Sequence, residues 1–248
     1  KHYSPPDPES PDVIAGVAEV VERYKGRKAI TAICRDAFFN PSFLRGQENF
    51  LMDMIEHPRL VHELIDIALS YDLRVTERMV QAGVDVVVLG DDYADKNGPM
   101  MSPRHFREFL LPGLKRAVDN AHQAGACVIK HTDGNIMPIL DRLVDAEPHA
   151  LHSLDPQGGV DMAEMKRLYG DQVCLIGNVN CGLLDTGTDE EAVESARYAL
   201  EQGMPGGGYI FSTSNCIYTG MRLSRYELML DVWRREGVYA DGAITGHV

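Results

Sequence analysis

The stretch VIKHTDGN, residues 128–135, carries an apolar run directly into His131, Asp133 and Asn135. Other apolar runs end the same way. KAITAIC (28–34) leads into Arg35 and Asp36, VDVVVLG (84–90) into Asp91 and Asp92, and HALHSL (149–154) into Asp155. VCLIGN (173–178) ends in Asn178, with Asn180 two residues on, and GYIFST (208–213) is followed by Asn215 and Cys216. Carboxylates at such ends can accept bonds from a ligand, orient His131, or move protons if burial raises their pKa, which makes Asp91 and Asp92 the candidate catalytic pair; a helix cap or loop salt bridge is the plainer role for one of them. Neighbouring residues diverge along an extended chain, so only one of that pair need face a ligand. Asn178 and Asn180 share a side by their spacing of two, which suits hydrogen bonding to a neutral polar ligand; turn formation is the plainer alternative.

The elements that must position these groups read as βα units. Short β-branched runs alternate with amphipathic stretches that have recognisable ends. Ser102 with Pro103 opens a helix closed by Gly125, and Thr188 with Glu191 forms a capping box before a helix ending at Gly203. Ser224 with Glu227 repeats that pattern, and residues 57–83 read as one long helix or two joined ones with Pro58 in the first turn. The runs are nearly continuous, as strands covered on both faces should be. Residues 91–103, DDYADKNGPMMSP, form the longest interior irregular piece, a candidate lid or substrate loop with Met100 and Met101 packing inside it.

Polar residues at the end of every strand predict a parallel α/β fold of the (β/α)8 barrel type, whose site is assembled at that rim. A doubly wound sheet would concentrate them at one switch point, and no glycine-rich phosphate loop follows the first run. A length of 248 residues with 44% hydrophobic content fits one barrel domain over 1–248. Six runs against about eight strands leave the N-terminal one or two βα units outside this chain. The start, KHYSPPDPESPD, has neither an initiator Met nor an apolar core, so it reads as a chain that has lost its beginning, not as a signal peptide or membrane span. A net charge of −13 disfavours nucleic acid as a partner. Five cysteines without a CxxC pair suit a reducing cytoplasm better than a disulfide framework or zinc ribbon.

The segments FLRGQENFLMDMIEHP, GVDVVVLGDDYADKNGPMMSPRHFREFLLP, HTDGNIMPIL, YGDQVCLIGNVN and GGYIFSTSN resemble the uroporphyrinogen decarboxylase superfamily, which includes cobamide-dependent methyltransferases. The resemblance covers most of the chain and implies a barrel of about eight strands. It implies one of two chemistries. Decarboxylases of the family hold the substrate's acid groups with an early arginine-rich motif, an aspartate and a tyrosine, and carry a late histidine in an NLGHG stretch. Here the tyrosine position reads FFNPSFLRG, with Phe43 nearest, and the late stretch reads STSNCIYTG. The methyltransferase branch binds zinc through an HxC pair and a late cysteine. The corresponding residues are His131, Asp133 and Cys216, with aspartate in place of one thiolate, a substitution zinc accepts.

That branch implies methyl transfer to or from a corrinoid on a separate partner protein. A homodimer in the cytoplasm is implied too. In motif position Phe43, Tyr93 and Tyr218 join Asn178, Asn180 and Asn215 as candidate substrate contacts, for an aromatic or amide substrate and not a polyanion. The expected function is therefore a methyltransferase-like enzyme, with uroporphyrinogen decarboxylation or a metal-free, non-catalytic family member as alternatives. For single residues, plainer roles stand beside these. Asp133 with Gly134 and Asn135 can cap the following helix, His131 can bond a neighbouring loop, Cys216 can be a small core hydrophobe, and Cys181 is a competing thiol.

Overall fold

The computed structural model describes residues 3–239. The strands in chain order are β1 (Thr31–Cys34), β2 (Val86–Leu89), β3 (Ala94–Asp95), β4 (Gly98–Pro99), β5 (Cys127–Thr132), β6 (Ala150–Ser153), β7 (Cys174–Val179) and β8 (Tyr209–Thr213). The helices are α1 (Ala15–Tyr24), α2 (Phe39–Arg45), α3 (Gln47–Glu56), α4 (Pro58–Gln81), α5 (Pro103–His105), α6 (Leu111–Ala124), α7 (Leu140–Val144), α8 (Met162–Tyr169), α9 (Cys181–Thr186), α10 (Asp189–Gly203) and α11 (Leu223–Glu236). The chain forms two compact units. Among the described residues, 3–93, 100–131 and 139–149 make the first, and 94–99, 132–138 and 150–239 the second. The fold is α/β with parallel major strands, as the alternating pattern predicts. No described helix is long and apolar enough to cross a membrane.

In the first unit β1, β2 and β5 pair in parallel with Cys34 opposite Leu89 and Leu89 opposite Lys130. β1 and β2 therefore stop at one level while β5 runs on to Thr132, and Asp36, Asp91 and Asp92 follow their strand ends on the side where His131 lies next to last in β5. Burial alternates: Ala32, Cys34, Val87, Leu89, Val128 and Lys130 are buried, whereas Ile33 is 72% exposed. This corrects the expectation of strands covered on both faces; in this unit the helices cover one. Residues 57–83 hold a single helix, α4, with Pro58 at its start and Val61, Ile65, Ala68, Leu69, Asp72 and Thr76 buried at helical spacing. α4 packs on α6 and α2. Ser102 caps the next helical stretch by accepting from the His105 N–H at 3.1 Å. A π turn over Phe106–Leu110 leads into α6, and Gly125 closes α6 with a left-handed φ of 97°. At Gly113 a Cβ would lie 2.6 Å from Cβ of Ala37, so α6 passes over the loop after β1 too closely for any side chain there.

In the second unit β6 pairs β7 and β7 pairs β8, the latter in register to Val179 opposite Thr213. The chains leaving β7 and β8 consequently run side by side. Ala192, Ala196, Ala199 and Leu200 of α10 form a core with Met229 and Val232 of α11 and Val179 of β7. The supposed irregular lid contains a short antiparallel pair, β3 with β4, which lies within this unit. Of the two expected capping boxes, Thr188 with Glu191 is formed, whereas α11 starts after Arg222 with no side-chain cap. Ser224 lies one residue inside α11, too late to serve its N-terminal amides. Thr188→Ala is therefore expected to cost about 1 kcal/mol in urea unfolding, and Ser224→Ala less than about 0.5 kcal/mol.

Candidate functional site

In the first unit Asp91 and Asp92 diverge at the end of β2. Asp91 is fully buried, and its Oδ2 accepts the N–H groups of Phe38 at 3.0 Å and Phe39 at 2.8 Å. It thereby satisfies the start of α2, whose own N-cap residue offers no side-chain acceptor. Burial, reinforced by neighbouring Asp36, pushes the Asp91 carboxyl up to about 7. Asp92 points the other way, with Oδ1 3.4 Å from Nε2 of His131 and both side chains partly exposed. A carboxylate against one ring nitrogen fixes the orientation of an imidazole and raises its basicity.

Behind this pair lies a charged cluster that sequence reasoning missed. Lys130 is fully buried, with Nζ 2.7 Å from Oδ2 of Asp36, 2.9 Å from the Asp91 carbonyl oxygen and 4.2 Å from the Tyr93 ring centroid. The Tyr93 hydroxyl donates to Asp36 Oδ1, and its ring packs between Phe38 and Phe106. Tyr93 thus lies in the packed interior. Phe43 is 62% exposed on α2, stacks on Phe39, and lines a cavity of about 340 Å³ with Tyr3, Asn40 and Tyr71.

Deeper in the same unit, burial pushes Asp72 up to about 6 although Asn40 donates to both of its oxygens. The unfolded chain releases these protons near the ordinary aspartate value, whereas the fold retains them to about 6 for Asp72 and about 7 for Asp91. The folded state binds more protons between those limits, so stability falls as pH rises from about 4 through 7. Unfolding free energy against pH should show that negative slope, reduced in Asp72→Asn.

In the second unit Asp133 is held by Asn215, whose Nδ2 donates to Oδ2 at 2.6 Å. Burial raises the Asp133 carboxyl, while the hydrogen bond from Asn215 opposes the rise. Asp133 is not the helix cap; Asn135 Oδ1 accepts the Met137 N–H at 3.2 Å. Asn215 is tied to Cys181: its N–H donates to Sγ and its carbonyl accepts from the thiol, each at 3.2 Å. Cys181 is 5% exposed and its thiol is raised by burial, whereas Cys216 is exposed. Asn178 is buried and donates to the carbonyls of Leu154 at 3.1 Å and Val160 at 3.4 Å. Asn180 caps α9 by accepting the Gly182 N–H at 2.9 Å. Both line a cavity of about 310 Å³ with Asp161, Glu194, Ser195 and Tyr198. Tyr218 donates to Asp185 Oδ2 at 2.8 Å. Sequence reasoning also missed His152, next to last in β6, whose Nε2 is 3.2 Å from the Thr213 carbonyl and whose pKa is lowered by burial. The only available signal was its place at a strand end.

The family described as uroporphyrinogen decarboxylase (URO-D) matches residues 1–236. The chain belongs to the uroporphyrinogen decarboxylase family. Among relatives of known name, the Methylcobamide:CoM methyltransferase MtaA of Methanosarcina barkeri is 29% identical over 63% of this chain and 44% of its own length. The uroporphyrinogen decarboxylase of Nitrosococcus oceani is 24% identical over 72% of this chain and 48% of its own. The chain thus spans about half the length of the curated relatives it matches. A solved methyltransferase from Methanosarcina mazei superposes with a TM-score of 0.79 at 23% identity, covering 92% of this chain and 65% of that one. That likeness shows the fold: this chain follows the α/β architecture of the family's methyltransferase, as the strand-end pattern predicts.

Proposed function

We propose that this member of the uroporphyrinogen decarboxylase family is a zinc-dependent methyltransferase that moves a methyl group between a corrinoid, carried by a partner protein, and a small-molecule acceptor. The observation that carries the reading is the His131–Asp92 pair at 3.4 Å, on neighbouring strand ends, with Asp133 two residues further along the chain. The 29% identity to a methylcobamide-dependent methyltransferase supports the same choice.

The donor chemistry fits zinc. His131 offers nitrogen, Asp133 oxygen and Cys216 sulfur, a mixed set of the kind found in catalytic zinc sites with an open position. Asp92 orients the imidazole and is the group placed to take a proton as the acceptor loses it. Bound zinc would supply Lewis acidity, lowering the pKa of an acceptor thiol or hydroxyl. Asp91 holds the start of α2, and so the placement of Phe43 on that helix. Phe43, Asn178 and Asn180 remain the proposed substrate contacts, with Phe43 the exposed aromatic among them; Tyr93 is enclosed in the core, and the Asn215 amide is committed to Asp133 and the Cys216 N–H.

The test incubates the purified protein with methylcobalamin and a panel of thiols and follows loss of the methyl–cobalt spectrum. Zinc-dependent demethylation supports the reading. Carboxylate loss from uroporphyrinogen, or folded protein without zinc, would replace it with the decarboxylase or the non-catalytic alternative.

A further inference from the structure

We infer that Asn215 is a positioning residue for Asp133 and that Cys181 is the strut that holds Asn215 in place; the inference rests on the zinc reading above. A carboxylate that replaces a thiolate as a metal ligand brings a rotational freedom that a single sulfur lacks. It rotates about its Cβ–Cγ bond, and either oxygen can face the ion. A donor fixed against one oxygen sets the plane of the group, and such outer partners tune metal affinity by about 10- to 100-fold.

Asn215 is built for that task at both of its ends. Its side-chain oxygen accepts the Cys216 N–H at 2.6 Å, which turns the amide so that the NH2 group, 2.6 Å from Oδ2, faces Asp133. Its backbone is clamped by sulfur and hydroxyl. The Cys181 thiol bonds both the N–H and the carbonyl of Asn215 at 3.2 Å, and Thr213 Oγ1 donates to that carbonyl at 2.7 Å. The Cys181 N–H in turn donates to Ser214 Oγ at 3.3 Å.

The origin of the clamp lies in strand register. β7 and β8 remain paired through Val179 and Thr213, so the two chains exit together and the second residue beyond each strand, Cys181 and Asn215, meets the other. A thiol that both donates and accepts is protonated, and its burial keeps it so. Cys181 is accordingly structural, and the exposed thiol, one residue past the clamp, is that of Cys216.

The experiment measures zinc dissociation constants by competition with a chromophoric chelator, with thermal unfolding in parallel. Wild type should bind one equivalent. Asn215→Ala and the volume-matched Asn215→Leu should fold normally and bind zinc about 10- to 100-fold more weakly. Cys181→Ala should shift affinity in the same direction, and Cys181→Ser, which keeps a donor and acceptor at that point, should restore most of it. If wild type binds and both Asn215 variants bind equally well, the positioning role is wrong and the zinc reading stands. If folded wild type binds no zinc, the reading falls and takes the positioning role with it. If Asn215→Ala does not fold, Asn215→Leu decides the matter by the same comparison.

Discussion

Lys130→Met should lower the unfolding free energy by about 3–5 kcal/mol, because it leaves the Asp36 carboxylate buried without its cation. Both side chains of this pair are fully buried, 2.7 Å apart, so solvent cannot replace the lost partner. The loss should exceed that from any exposed pair, such as Arg234 with Asp231, where deletion costs at most about 1 kcal/mol. The double variant Lys130→Met, Asp36→Asn removes both charges and should recover much of the stability. Breaking a buried pair is costly, whereas replacing it whole often is not. Guanidinium unfolding of wild type, both single variants and the double variant completes the cycle. Additive losses would show that the pair does not act as a unit.

The second large effect concerns His131. His131→Ala should weaken zinc binding by roughly 100-fold or more, since a catalytic site has only about three protein ligands and this variant removes one of them outright. Stability of the apo protein should change by no more than about 1 kcal/mol, as the ring is partly exposed at a strand end. Equilibrium dialysis with and without the substitution measures the first, and urea unfolding in chelator the second. Unchanged zinc affinity would remove His131 from the ligand set.

How far the sequence reveals this site depends on how local each cause is. The strands were legible because β-branched runs and capping signals are local, and their parallel order follows from alternation with helices. The His131–Asp133 spacing was legible for the same reason: β5 extends through Thr132, so strand geometry relates the two. Lys130 was not legible as a buried cation. Alternation along the strand turns it away from the His131 side and toward the helices, but its partners come from residues 36 and 91, brought level only by the register of three strands. Asp91 looked like an acid for chemistry, but its carboxylate satisfies amides more than 50 residues away. Ser224 matched a capping pattern, yet α11 begins two residues too early for it. Cys181 and Cys216 could not be ranked from sequence, because what separates them is the pairing of β7 with β8.

The central claim is a zinc ion held by imidazole, carboxylate and a single thiolate. X-ray absorption at the zinc edge on the loaded protein tests it most directly. The expected spectrum has one sulfur at about 2.3 Å and a remaining shell of nitrogen and oxygen at about 2.0–2.2 Å, with the sulfur lost in Cys216→Ala and retained in Cys181→Ala. A shell with two or more sulfurs, or a sulfur that persists without Cys216, would contradict it.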